Sequence, residues 1–230
     1  MSRLIVHVEG VTEEDFVNAV LAPHLLMHGW EKVAACRIGR ARSRAKRHGI
    51  KGWDVTSAGI IRHLKEDAGC CVTTCVDYYG MPQTGEKAWP GRAEADLLQF
   101  YQKAATIEDA LRHDLSQAMG KSFNPNRFIP FVMMHEFEGL LFSDCDRFGK
   151  SIGMLELIAH FQAIRDQFNT PEEINDSPQT APSKRISALL ANYDKPLMGT
   201  LAALEIGIDT IRKECPHFNQ WLTRLEAWPH

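Results

Sequence analysis

The sequence predicts an α/β fold: a parallel four-stranded sheet flanked by helices, followed by a helical appendage. Three observations carry that prediction. Up to about residue 145, short apolar or β-branched runs alternate with helical spacing, in the order strand, helix, strand, helix, strand, helix, strand. The first run is apolar on both faces, as a strand buried in a parallel sheet must be. Beyond residue 150 the strand-like runs stop and only helical spacing continues. The boundaries read as 1–148 for the α/β domain and 149–230 for a helical extension packed on it.

Residues 3–9 form the first predicted strand. Thr12 is a candidate N-cap, with Glu13, Glu14 and Asp15 in the first turn, where the helix dipole favours anions. That helix runs toward Leu26, with Pro23 bending it. Residues 32–38 make the second strand, and 55–66 a helix with Ile60, Ile61 and Leu64 on one side. "CCVTTCVD" is the third strand, ending at Asp77. A loop rich in Gly and Pro precedes helical residues 92–119, and "RFIPFVMMHE" is the fourth strand. In the extension, helical stretches fall at about 183–192, 197–204, 207–214 and 217–227.

Composition narrows the function classes. The chain has 230 residues, 44% of them hydrophobic, enough to bury a full core. No run reaches the roughly 18 apolar residues that a membrane span needs, and the start reads as a strand rather than a signal peptide. A cytoplasmic protein is the default, with no membrane partner. Six cysteines form no C-x-x-C pair, so they read as small buried residues in a reducing compartment. The net charge is −3, but "RIGRARSRAKRHGIK", residues 37–51, holds seven of the 26 basic residues and no acid. Removing those seven leaves 19 against 29 acids, so a concentrated basic segment sits on an acidic body. Arg40, Arg42, Arg44, Lys46 and Arg47 read either as a solvated loop or as contacts to phosphate, for which the guanidinium fork is suited. Lys184 and Arg185 in "PSKR" stand near a helix start, as a second phosphate contact or an exposed basic helix end.

Three of the four predicted strands finish in acid: Glu9, Asp77, and Glu136 with Glu138. Ligands of parallel sheets bind at that carboxyl edge. Carboxylates gathered there repel unless a cation joins them. With no Cys or His set beside them, their oxygens point to Mg²⁺ or Mn²⁺ rather than zinc. In "HEFEGLLF" one of the two acids is expected to face solvent. His135 reads as structural, and Tyr78 and Tyr79 as packing or stacking residues.

The segments "VEGVTEEDFV" and "VDYYG" resemble the Toprim metal-binding fold, which carries a Glu-Gly after its first strand and an Asp-x-Asp after its third. Together with "HEFEGLLF", "APSKRI" and "CPHFNQWL", they resemble an uncharacterised bacterial family of Toprim-like proteins. Those proteins are related to overcoming-lysogenization-defect nucleases and are often encoded beside an ABC- or SMC-type ATPase in defence loci. The resemblance covers nearly the whole chain. It implies a Toprim/Rossmann-like sheet in which Glu9 is the Toprim glutamate, Gly10 its turn glycine and Asp77 the first aspartate. Tyr79 stands where the second aspartate would be, with Glu136 or Glu138 as the replacement ligand. Gly80 closes the turn after Asp77.

The resulting expectation is a Mg²⁺- or Mn²⁺-dependent nuclease. Glu9, Asp77, Glu136 and Glu138 act as metal and catalytic residues, nucleic acid and an ATPase are the partners, and two copies can pair. The alternative is a non-enzymatic nucleic-acid- or ATPase-binding module with a degenerate Toprim site. A primase-like nucleotidyl transfer is a third, weaker reading.

Overall fold

A computed structural model describes residues 2–38, 51–175 and 180–228. The strands are β1 (Arg3–Val8), β2 (Lys32–Arg37), β3 (Cys70–Asp77), β4 (Phe128–Ile129) and β5 (Val132–Met133). The helices of the first half are α1 (Val11–Phe16), α2 (Ala22–Met27), α3 (Trp53–Glu66), α4 (Arg92–Ala95) and α5 (Phe100–Met119). The second half supplies α6 (Cys145–Ser151), α7 (Ile158–Arg165), α8 (Pro182–Leu189), α9 (Lys195–Ile206), α10 (Ile208–Glu214) and α11 (Pro216–Glu226).

The fold is α/β with an all-parallel sheet, as the alternation of elements requires. Strand order is β2-β1-β3-β4, with β5 also pairing β3. The predicted fourth strand is thus two short ones. Pro130 lies between them; it has no N–H to give a ladder, and pairing resumes only at Val132. β1 leads to β2 on one side, and the chain then crosses back to place β3 on the other. The direction of winding therefore reverses between the carboxyl ends of β1 and β3, which in open parallel sheets is where a crevice opens.

Side-chain alternation divides the sheet between two cores. Leu4, Val6 and Val8 of β1 and Cys71 and Cys75 of β3 pack with α1 and with Phe218, Trp221 and Leu225 of α11. Cys70, Val72 and Val76 pack on the opposite side with Ile60 and Leu64 of α3 and Ile107, Leu111 and Leu115 of α5. The C-terminal helices therefore share one continuous core with β1, β3 and α1. Trp221 shows how closely they join. Its ring stacks on Phe131 at 4.3 Å and its Nε1 donates to Thr73 Oγ1 in β3 at 2.8 Å.

Local departures from the expected elements have local causes. The first helix begins at Val11 with Gly10, not Thr12, as its N-cap, because the Glu13 carboxylate turns back to accept from the Gly10 N–H at 2.8 Å. Between α1 and α2 a π-helical turn, Val17–Leu21, carries the chain into Pro23. The wider turn accommodates the residue that cannot donate, so the helix is not simply kinked. The stretch 92–119 breaks between α4 and α5, around residues 96–99.

Trp221→Ala removes the stacked ring and leaves a cavity between α11 and the sheet. We expect a loss of about 3–5 kcal/mol in urea unfolding, the range for large buried aromatics.

Candidate functional site

β1 delivers Glu9 one residue past its end, and β3 ends on Asp77. Both therefore stand at the switch between the strands that pair residue for residue from Arg3↔Cys70 to Val8↔Cys75. The turn Tyr78–Gly80 folds back over Glu9. A Cβ on Gly80 would lie 2.6 Å from Glu9 Oε2, so only glycine lets the carboxylate sit there without displacement. Past β5 the chain turns sharply at His135, whose φ of +67° is unusual for a side-chain-bearing residue. That turn places Glu136 and then Glu138 on the same pocket.

The two acids of this segment divide their work. Glu138 is completely buried and pairs with Lys195 Nζ at 2.9 Å. Glu136 is half-buried, and its Oε2 accepts from the backbone N–H of Ser183 at the start of α8, 2.9 Å away. Neither simply faces solvent, as one was expected to. Lys184, next along α8, is exposed. Arg185 donates from Nε to the Thr180 carbonyl at 2.7 Å and lies over the Phe168 ring. Arg40, Arg42, Arg44, Lys46 and Arg47 lie outside the described residues. Arg37, at the start of the basic stretch, pairs with Glu14 at 2.8 Å.

Electrostatics show that the acids share one environment. Burial raises the Glu9 carboxyl to about 7; Glu13 and Glu136 add to the rise, while Lys195 and the backbone at Asp77 oppose it. Asp77 is held well above its ordinary value, first by burial, then by Glu13, Glu9 and Glu138, again against Lys195. Burial also brings Glu138 to about 7 despite its lysine partner. Desolvation works against the Lys195 charge, but Glu138, Asp77 and Glu136 more than compensate and keep it protonated. Glu9 Oε2, Asp77 Oδ1 and Glu138 Oε1 are buried with no hydrogen-bond partner. Unsatisfied buried oxygens of this kind are costly and are relieved by a proton, a water or a bound cation.

The donor set fits a hard divalent cation. It is all oxygen, anionic, and cradled by a glycine. Among the described residues, no three of these carboxylates bring oxygens within 4.8 Å of one another. In this arrangement at most two of them reach one Mg²⁺, leaving its other positions for water and phosphate oxygens, which is its usual preference.

An aromatic shelf borders the acids. Tyr79 is 37% exposed and stacks on His135, with ring centroids 5.4 Å apart. Phe100 tilts onto the same imidazole at 5.5 Å. Tyr78 faces inward, its hydroxyl donating to Asp96 at 2.8 Å and its ring under the Arg92 guanidinium.

Three residues of the pocket were not singled out from sequence as site residues. Glu13 was read as a helix starter, yet it is buried and perturbs both Glu9 and Asp77. Tyr193 has a buried, unpartnered hydroxyl raised by burial and then by Glu138. Lys195 opens α9 directly after the N-cap Asp194. A cation in the first turn opposes the helix dipole, and that misfit was the available signal.

Residues 8–226 match the model of a family described as a domain of unknown function, DUF4276. No curated protein and no solved structure matches the chain.

The raised carboxyls predict a pH response. Glu9 and Glu138 bind protons more tightly folded than unfolded, so without metal, stability falls as pH rises from 4.5 through about 7. Glu9→Gln should flatten part of that slope in thermal melts taken across the window, and Mn²⁺ should restore stability at its upper end.

Proposed function

The chain belongs to the DUF4276 family, and from its geometry we propose that it is a Mg²⁺- or Mn²⁺-dependent nuclease with a Toprim-like site. The observation that carries this reading is the set of buried, unpartnered carboxylate oxygens on Glu9, Asp77 and Glu138 at the sheet's switch point. Glu9 and Asp77 would hold the ion, with Glu136 or Glu138 joining them only after a side-chain shift, since among the described residues no three of these carboxylates bring oxygens within 4.8 Å of one another. A bound Mg²⁺ or Mn²⁺ supplies Lewis-acid stabilisation of the phosphoryl charge and lowers the pKa of the attacking water. In the alternative assignment Glu9 does not ligate the ion and instead accepts that water's proton as general base. Lys195 holds Glu138 in place and offers a positive charge to the phosphoryl oxygens. Tyr79, backed by the buried His135, provides a surface on which a base can stack. Arg40, Arg42, Arg44, Lys46 and Arg47, with Lys184, supply backbone contacts.

The biological setting we propose is that of an effector working with an ABC- or SMC-type ATPase in anti-phage defence, inside the cell. Leu197, Leu201 and Leu204 are exposed along α9 at helical spacing, and this supports pairing of two copies. Among the described residues, no helix is long and apolar enough to cross a membrane.

Two observations favour the second reading, a regulatory module without catalysis. Lys195 already neutralises part of the pocket from 2.9 Å, and Tyr79 replaces the expected second aspartate.

Cleavage of DNA and RNA substrates, with each metal and with the ATPase added, separates the two. Under the nuclease reading, Glu9→Gln lowers the rate by at least about 100-fold, since even outer partners of metal ligands cost up to that much, while circular dichroism stays native. Full metal-dependent activity in that variant would refute the assignment of Glu9. A wild-type protein that binds nucleic acid or the ATPase but cleaves nothing supports the regulatory module.

A further inference from the structure

The acid pocket leaves a second group of chemistry-bearing side chains unexplained. His7 of β1 and Cys36 of β2 are register partners in a parallel pair, so both side chains leave the sheet on one face. α3 lies over that face and brings His63 against His7, edge to ring, with centroids 5.4 Å apart. α3 also carries Gly59, where an added Cβ would lie 3.4 Å from His7 Cε1. One ligating atom from each of His7, Cys36 and His63 lies within 4.8 Å of the other two, and Cys36 Sγ is 3.9 Å from His63 Nε2. His7 is 3% exposed, and its Nε2 is buried without a hydrogen-bond partner. Buried polar atoms are rarely left so, and the same imidazole brings one ring nitrogen within 4.8 Å of the ligating atoms of Cys36 and His63.

The expectation that the cysteines are only small buried residues therefore fails for Cys36. It is half-buried and placed against two imidazoles. No sequence spacing announces the trio, because its members are brought together by strand register and a crossover helix.

We propose that His7, Cys36 and His63 bind a borderline transition-metal ion of the Zn²⁺ class, with one position open to solvent. Two nitrogens and one sulfur suit zinc and not magnesium. Tetrahedral Zn²⁺, with bonds of about 2.0–2.3 Å, separates its ligands by roughly 3.3–3.6 Å. The trio therefore closes by about an ångström on binding, through rotation of the half-buried Cys36 and His63. A cleft of about 250 Å³ lies beside the trio, lined by His63 together with Ile5 and Ala34. Ile5 and Ala34 are themselves register partners two residues before His7 and Cys36. The site is independent of the nuclease reading.

The test is titration of the chelator-stripped full-length protein with Co²⁺ and then Zn²⁺. One equivalent of Co²⁺ should produce a thiolate-to-metal charge-transfer band and tetrahedral d–d bands, both lost on adding Zn²⁺. Cys36→Ser should abolish the charge-transfer band. His63→Gln should weaken Zn²⁺ binding at least about tenfold, since loss of even an outer partner costs that much. Glu9→Gln should leave both spectra unchanged, which separates this site from the acid pocket. X-ray absorption of the Zn²⁺-loaded wild type should show mixed nitrogen and sulfur ligation, a readout that holds even if a variant misfolds. Absence of a charge-transfer band in the folded wild type would overturn the proposal. So would its persistence in Cys36→Ser with native circular dichroism, or ligation by oxygen alone.

Discussion

Five carboxyl groups meet one ammonium at the carboxyl edge of this sheet, and they cannot all be ionised at once at ordinary cost. Glu9, Glu13, Asp77, Glu136 and Glu138 face Lys195 in a space where burial already disfavours charge. Such a pocket has two ways to lower its energy: keep protons, or take up cations. With Glu9 and Glu138 raised to about 7, protons and a cation would compete for this pocket near neutral pH. Each cation bound displaces protons, so affinity for a divalent ion and proton release are linked.

The sheet alone could not build this arrangement. β1 and β3 bring Glu9 and Asp77 to the switch point, but the counter-charge comes from α9 and the hydrogen bond to Glu136 from α8. Both helices belong to the C-terminal half, which shares the core under β1 and α1. Trp221, joined to β3 through Thr73, helps fix that layer. The pocket is thus shared between halves that the sequence reads as a sheet domain and an extension.

Much of this was legible in the sequence, for identifiable reasons. The parallel sheet followed from alternation, and the position of Glu9 and Asp77 followed from strand ends, since both are consequences of local pattern. The split of the fourth strand turns on Pro130, visible as a residue but not as a break in register. Lys195 and Glu13 lie beyond local pattern. Each satisfies a helix rule or breaks one mildly, and only packing shows which acids they face. The division between Glu136 and Glu138 was hidden because residues two apart share a face only in a strand. Here Glu136 precedes a 3₁₀ turn, Phe137–Ser143, that holds Glu138, and both are turned toward protein. His7, Cys36 and His63 come from three separate elements, and no spacing rule could have joined them.

Lys195 shows how tightly charge and architecture are bound here. In the first turn of α9 its ammonium opposes the helix dipole by roughly 0.3–1 kcal/mol, and burial adds a further cost. Both are offset only because Glu138 is 2.9 Å away and other acids lie behind it. The lysine is therefore held by the anions rather than by its own helix. Asp194, just before it, accepts from Leu197 N and fixes the start of α9. The same turn of helix is consequently tied on one side to its cap and on the other to the acid pocket. Any change in the charge of the pocket, whether by proton or by cation, therefore changes the electrostatic pull on the start of α9.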